Sequence, residues 1–554
     1  MKKVLLTLTF ITITFLIAAQ VPSFSWAKEI DTKNVLSDNP IAKDTSNNIY
    51  VATDKGVIKY NNAGTIIWQK TIAGSTCKTF GISLDASGNV YTTGTFSGSE
   101  DFDPSAATST LTSLGGLDVY ILKLDGSGNF IWAKSFGGSG DDKVYDMAVD
   151  AAGNVHTTGT YVYTVDFDPN VGVLNYTSSG SSSIDMFISK VNTSGNLVWA
   201  KSIGSQYGNE EVRAISLDAA GDVFTNGFFS TFIYPVDFDP SAGTYTFMPI
   251  GINDVFVSKL DASGNFVWAK QIATTINSSR IDGLAMVADA SGNIFCTGKF
   301  NGNIDFDPGP STFTITSTSS NSFIFKLNFS GGFAWAKSFE TIGSTGSSYG
   351  KAINIDATGN VYTTGAYADG VDFNPSASVY SITPQSAYWT DSYVHKLDAS
   401  GNFMWAVGMG GTSEDYGSNV TIDSDNNIYT TGYFQMAVND FDPGPLAYAL
   451  TPSLGSGYIQ KLGTGPVGIK ENNKSNVNFN VYPNPTNGIL NIKLLAEALE
   501  ATFVEITDVL GKVQLLETIT ETNTQLNVSD MAKGIYFVTL SSNKKTSTRK
   551  LIIN

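Results

Sequence analysis

The chain has 554 residues, with 33 Lys plus Arg against 50 Asp plus Glu and a formal net charge of −17. That length calls for at least two domains, and the acidic balance disfavours nucleic acid and anionic surfaces while favouring cations or basic partners. The charge is uneven: residues 20–466 carry a net −20 and residues 467–554 a net +1.

Met1-Lys2-Lys3 and the apolar run Val4 to Ala19 read as a secretory signal peptide, residues 1–19. The basic start is followed by an apolar core too short to span a membrane comfortably. Ile17-Ala18-Ala19 offers a cleavage site that leaves Gln20 as the new terminus. Ser25-Trp26-Ala27 offers another, but cutting there destroys a strand that the rest of the chain needs. No second long apolar stretch follows, so no transmembrane anchor is expected.

Next comes a repeat. Trp-Ala-Lys or a close variant stands at Trp26, Trp68, Trp132, Trp199, Trp268, Trp335 and Trp405. Asp-x-x-Gly-Asn or a variant begins at Asp44, Asp85, Asp150, Asp218, Asp289, Asp356 and Asp423, at steps of 41 and then 65 to 71 residues. A Lys closes a short apolar run at Lys59, Lys123, Lys190, Lys259, Lys326, Lys396 and Lys461. Self-similarity at a fixed period decides the fold before any local reading does.

Each unit reads as four strands. In the fifth these are Gly283–Asp289, Asn293–Phe300, Asn321–Leu327 and Gly332–Lys337, on alternation and β-branched or aromatic content. The Asp-x-x-Gly-Asn segments are hairpin turns, where Gly or Asn takes positive φ and Asp accepts backbone amides. Four-stranded units repeated radially form a β-propeller. The last unit runs from Lys461 into Gly463-Thr-Gly-Pro466 with no Trp motif. Phe24 to Lys28 supplies its fourth strand and pairs edges otherwise exposed. The expected fold is therefore all-β: a seven-bladed β-propeller over residues 20–462, its last blade closed by the N-terminal strand. A linker follows at 463–476 and a small second β-domain at 477–554.

Units such as Asp85-Ala-Ser-Gly-Asn-Val-Tyr91 and Leu260-Asp-Ala-Ser-Gly-Asn-Phe-Val-Trp268 resemble the bacterial seven-bladed β-propeller repeat family over roughly residues 24 to 462. That resemblance implies a fold and no particular reaction. The chain departs from the family by an extra loop between the second and third strands, carrying Asp-Phe-Asp-Pro. Tyr482-Pro-Asn-Pro-Thr-Asn-Gly488, Ile506-Thr-Asp-Val-Leu-Gly-Lys512, Met531-Ala-Lys-Gly-Ile-Tyr-Phe-Val538 and Arg549-Lys-Leu-Ile552 are similar to the type A sorting domain of the type IX secretion system. This implies a small Ig-like β-sandwich read by the secretion machinery and usually removed on export. The cargo is then released or attached to surface lipopolysaccharide, so the expected location is extracellular or on the outer cell surface.

The strongest chemical candidate is the Asp-Phe-Asp-Pro loop. It places carboxylates at Asp101 and Asp103, Asp166 and Asp168, Asp237 and Asp239, Asp305 and Asp307, and Asp440 and Asp442, with Asp372 and Asn374 in the sixth unit. In extended backbone, residues i and i+2 face one way, and paired carboxylates are weak candidates for calcium, which takes six to eight oxygens. The alternative, favoured here, is a turn device in which Asp caps, Phe anchors and Pro ends the strand. Strand parity puts these loops on one face with inter-unit loops such as Gly137 to Asp142, Gly208 to Glu211 and Gly410 to Asp415. Any ligand is expected on that acidic, variable face.

His156 and His395 read as substituted repeat positions rather than an acid–base pair. Only Arg213 and Arg280 occur in the propeller, too few for a sialidase arginine cluster, and the Asp-to-Gly-to-Trp spacing does not match sialidase Asp boxes. The Trp series reads as packing between blades rather than as a sugar platform. Cys77 and Cys296 fall in distant units, and no disulfide is expected. The reading is a secreted, non-enzymatic binding protein for a protein, glycan or cation, with no certain cofactor and calcium as the open one. An extracellular polysaccharide hydrolase or lyase with carboxylate chemistry and a surface adhesion component are the alternatives.

Overall fold

A computed structural model describes residues 21–463 and 479–554, except 31–38, 73–75, 181–182, 207, 231–233, 277, 343–345, 387, 436–437, 445–446, 453–454, 495–501, 509–512, 520 and 543–544. The expected signal peptide and the linker beyond Gly463 lie outside the described residues. Every regular element described is a β-strand, and among the described residues no helix is long and apolar enough to cross a membrane. The chain divides into two compact units, residues 1–464 and 465–554.

The first unit is built from repeated four-stranded antiparallel arrays in which each strand pairs with the next. The second array is typical: Lys78–Leu84, Val90–Phe96, Asp118–Leu124 and Phe130–Gly138. Among the described residues seven arrays can be followed. Their first strands are Ile41–Lys43, Lys78–Leu84, Lys143–Val149, Asn209–Leu217, Arg280–Ala288, Ser347–Ile355 and Tyr416–Ile422. The fourth strand of the seventh is Ser23–Ile30, which pairs antiparallel with Gly455–Gly463 and sets Trp26 opposite Lys461. First strands pack on one another in sequence, and Ile41–Lys43 touches both Lys78–Leu84 and Tyr416–Ile422.

The first turn of each array follows the expected chemistry. Asp85 Oδ1 accepts the amides of Ser87 and Asn89 at 2.9 Å, and Oδ2 accepts Asn89 Nδ2 at 2.7 Å and Tyr91 Oη at 3.0 Å. Gly88 takes φ 78°, and Asn47 and Asn426 take φ 60° and 61° in the two variant copies. A left-handed residue is what this tight turn requires.

In the fifth array the second and third strands are Ile294–Asp305 and Thr314–Leu327, longer than the alternation implies. The ladder continues past a bulge at Phe300 into the Asp-Phe-Asp-Pro hairpin. Elsewhere that hairpin is a separate small sheet, such as Ser99–Asp101 with Thr110–Thr112. Its first strand also pairs with the end of the preceding array: Gly137 lies opposite Asp166, Ala273 opposite Asp305, Glu340 opposite Asp372, and Gly410 opposite Asp440. The inserted loops therefore join neighbours.

The second unit has two antiparallel sheets. Phe479–Tyr482, Ile489–Leu494 and Asn523–Asn527 form one; Val513–Ile519, Thr502–Asp508, Gly534–Ser542 and Lys545–Ile553 form the other. Phe479, Leu490, Ile492, Val504, Ile506, Leu526, Val538, Leu540 and Leu551 bury a shared core between them. Asn484 clasps the last strand, donating to Lys550 O at 2.6 Å and accepting from Ile552 N at 2.9 Å.

Candidate ligand site between the first strands

A bulge recurs in the first strand of arrays two to seven. Register shifts fall at Phe80, Tyr145, Arg213, Leu284, Lys351 and Ser418, each the extra residue against its partner strand. The cause lies in the second strand. Gly94, opposite Thr79, sits so close to the first strand that a Cβ would lie 1.9 Å from Lys78 O. Gly159, Gly227, Gly298, Gly365 and Gly432 repeat the approach to Lys143 O, Glu211 O, Asp282 O, Tyr349 O and Tyr416 O at 1.9 to 2.1 Å. Only glycine permits a backbone this near, and bulges re-aim a side chain. The first array has Thr53 at this position, and its Ile41–Lys43 strand carries no bulge.

All six bulged side chains line one cavity of about 420 Å³, together with Ile41, so that every first strand contributes. Arg213 is its most elaborated member. Its guanidinium lies 4.9 Å from the Tyr145 ring and 5.5 Å from the Phe228 ring, and Nη2 meets Glu211 Oε1 at 2.6 Å. Its Nε is buried with no hydrogen-bond partner. Lys351 Nζ stands 4.4 Å from the Tyr416 ring, and Lys299 Nζ is 3.9 Å from Asp282 Oδ2. Ser418 Oγ is buried without a partner. Asp146 also lines the cavity; its carboxyl accepts Met147 N and Ile215 N and is pushed up to about 7 by burial. The six positions stand in the sequence as the residue beside each Gly-facing site. Their convergence depends on the bulge and was not expected from alternation.

The Asp-Phe-Asp-Pro carboxylates lie elsewhere. Asp101, Asp166, Asp237, Asp305 and Asp440 each use Oδ1 to accept two amides, such as Asp307 N at 3.1 Å and Phe313 N at 2.8 Å for Asp305. Asp103, Asp168, Asp239, Asp307 and Asp442 each accept one more amide two residues on. Asn374 does the same for Ser376 N without a charge. Phe102, Phe167, Phe238, Phe306, Phe373 and Phe441 are buried between. Among the described residues no group of three or more His, Cys, Asp or Glu converges as a metal site.

Where arrays meet, acidic side chains are buried in pairs. Asp118 and Asp142, Asp185 and Glu210, and Asp391 and Asp415 stand at equivalent positions of three interfaces, all essentially buried. Gly137, Gly204 and Gly410 leave the room that Asp118, Asp185 and Asp391 fill. Burial pushes Asp142 and Glu210 up to about 7 and Asp415 up to about 8, and the facing carboxylate adds to it in each.

The Trp and Lys series belong to the joints. Trp68 Nε1 and Lys59 Nζ both donate to Gly126 O of the next array, at 3.3 and 3.4 Å, as do Trp132 and Lys123 to Thr193 O at 3.1 and 3.2 Å. The two histidines are buried apart. His156 packs 5.9 Å from Trp199 and is pushed down to about 4; His395 Nε2 faces Phe373 O at 3.1 Å and is pushed down to about 3, both by burial. Cys77 and Cys296 are free and buried.

Residues 480–554 match the family described as secretion system C-terminal sorting domain. This tail marks the protein for export to the cell surface or the extracellular space and for contact with the secretion machinery. Over 443 residues the chain is 24% identical to an uncharacterized WD repeat-containing protein of Acanthamoeba polyphaga mimivirus, covering 70% of this chain and 31% of that protein. The chain thus spans about a third of the length of that relative. Among solved structures, a fungal alcohol oxidase in complex with copper is 12% identical with a TM-score of 0.37, covering 97% of this chain and all of the other. A cobalt-substituted ACO of Synechocystis is 10% identical with a TM-score of 0.34, covering 68% and 72%. A Bacteroides caccae protein of unknown function is 10% identical with a TM-score of 0.27, covering 54% and 80%. At these scores the likenesses carry no argument about activity.

Proposed function

We propose that residues 20–462 form a seven-bladed β-propeller, closed by Ser23–Ile30 and exported by the type IX machinery through residues 477–554. It acts outside the cell as a non-enzymatic binding protein whose ligand enters the cavity between the first strands. The observation that carries this reading is the bulge set, which turns Phe80, Tyr145, Arg213, Leu284, Lys351 and Ser418 into a single cavity. A repeat fold that spends six bulges on one space is equipping that space, and a concave site with a few convergent polar groups is where small ligands bind. The loop carboxylates already accept backbone amides, and both histidines are buried against aromatic rings.

The test is a screen of the secreted chain against glycans and peptides, with Leu284→Trp as a cavity-blocking variant. Ligands lost on blocking support the reading; ligands indifferent to it, or lost instead on changes to the outer loops, remove it. Export is tested separately, since loss of residues 479–554 should leave the protein inside the outer membrane.

A second reading gives calcium to the loops. What favours it is a smaller cavity of about 230 Å³ that Asp391, Asp440 and Asp442 line together. Calcium titration followed by thermal unfolding tests it, and a shift that persists in Asp440→Asn with Asp442→Asn removes it.

A further inference from the structure

We infer that the cavity between the first strands is built for the carboxylate-bearing end of an acidic sugar chain, a uronate; this rests on the cavity being the binding site. The first argument is charge placement. Residues 20–466 carry a net −20, yet Arg213, Lys299 and Lys351, from three consecutive arrays, all line this cavity. Lys59, Lys123, Lys190 and Lys461 are committed instead to hairpin joints. Glu211 pairs with Arg213, Asp282 lies beside Lys299, and Asp146 shares the lining, so the cavity holds a local cluster of cations, partly balanced, inside an acidic body; it attracts a compact anion and repels an extended polyanion, and the end of a chain fits better than its length.

The second argument is unused bonding capacity. Arg213 has its Nη2 on Glu211 and its faces against Tyr145 and Phe228, but its Nε is buried without a partner, as is Ser418 Oγ. Buried polar atoms are normally paired. Both residues line the one cavity, and spare bonding capacity on a guanidinium and a hydroxyl there suits a ligand that brings both a carboxylate and hydroxyl groups. The third argument is the aromatic wall. Phe80, Tyr145 and Tyr349 line the cavity and offer ring surface to the apolar face of a sugar, which a bare inorganic anion would not use.

The probes are digalacturonate, the neutral digalactose and citrate, titrated calorimetrically into the full secreted chain and into Arg213→Gln, Lys351→Met and Leu284→Trp, each checked for an unchanged melting transition. The expected result is digalacturonate binding that weakens with salt, with digalactose and citrate each weaker by about tenfold or more. Arg213→Gln and Lys351→Met should each weaken digalacturonate about tenfold, the size of one lost charge-assisted hydrogen bond, and leave digalactose unchanged. Equal affinity for digalactose, or indifference to both substitutions, overturns the uronate while a ligand still blocked by Leu284→Trp keeps the cavity as the site. Digalacturonate binding that survives Leu284→Trp overturns both. No binding of digalacturonate overturns the uronate alone, and the fate of the cavity then rests on the wider ligand screen.

Discussion

Trp26 lies directly opposite Lys461 in the antiparallel ladder that joins Ser23–Ile30 to Gly455–Gly463. The same register pairs Trp68 with Lys59, Trp132 with Lys123, Trp199 with Lys190, Trp268 with Lys259, Trp335 with Lys326 and Trp405 with Lys396. Trp26 Nε1 and Lys461 Nζ then both donate to Asn62 O of the first array, at 3.2 and 3.3 Å, as Trp68 with Lys59 and Trp132 with Lys123 do to Gly126 O and Thr193 O, whereas Trp199 Nε1 and Trp335 Nε1 are buried without a partner. The N-terminal strand makes the joint that the fourth strands of the first two arrays make.

Trp26→Ala should therefore cost stability like Trp68→Ala, near or below the low end of the roughly 3–5 kcal/mol typical of large aromatic truncations, because both indoles are only partly buried. Urea unfolding of the two variants measures this. A Trp26→Ala protein as stable as the parent would show that the strand is dispensable.

Gly227→Ala should exceed the usual overpacking cost of about 1–3 kcal/mol, since its Cβ would fall 2.0 Å from Glu211 O, which is backbone. It should also disturb Arg213, whose bulge depends on that approach. At the corresponding Thr53 of the first array the chain already carries a side chain, so Thr53→Ala should be far milder. Chemical unfolding compares the two.

Asp305→Ala leaves the amides of Asp307 and Phe313 without their acceptor and should cost about 1–3 kcal/mol. Asp307→Asn should be nearly neutral, because Asn374 fills that role in the sixth array. A large loss in Asp307→Asn, restored by calcium in the parent only, would show that the charge serves a metal.

Acid should stabilise the joints. Asp142, Glu210 and Asp415 have folded pKa values of about 7, 7 and 8, above the roughly 4 of an unfolded carboxyl. The folded state therefore holds their protons more tightly. Their contribution is full below pH about 4 and is lost as pH rises through 7 to 8. Opposing this, hydrogen bonds from the turn hold Asp44, Asp85, Asp150 and Asp356 below the usual carboxylate range despite the upward push of burial. Their contribution is present above pH about 4 and lost below it. Melting temperature should be highest between roughly pH 4 and 6, and Asp415→Asn should flatten its fall toward pH 8.5. A melting temperature that rises from pH 6 to 8.5 would contradict this.

Much of the fold was legible because it is local and repeated. The Asp85 turn needs only Ser87, Gly88, Asn89 and Tyr91, all within six residues, and alternation marks the strands beside it. The sorting tail was legible from Tyr482 to Ile552 as ordered blocks. Strand ends were less so: Ile294–Asp305 runs past its apparent limit because the inserted hairpin extends the ladder through a bulge, which breaks alternation. The proposed site was least legible. Expectation fell on the acidic loops, whereas the cavity proposed here is lined by Arg213 and Lys351, which in sequence are isolated cations. Gly94 and its counterparts were the available signal, each marking a close approach by a carbonyl from another strand.

The amino-acid sequence by itself determined the repeat, its turns, the Trp–Lys series and the tail that directs export, because each rests on contacts between near neighbours or on a motif read in order. The tertiary structure alone decided that six bulged residues share a cavity and that carboxylates such as Asp391 and Asp415 meet in the dark of an interface. Those meetings depend on how separate arrays are set against one another, and the alternation of a strand records its own two faces but not which side chain from another array will face them.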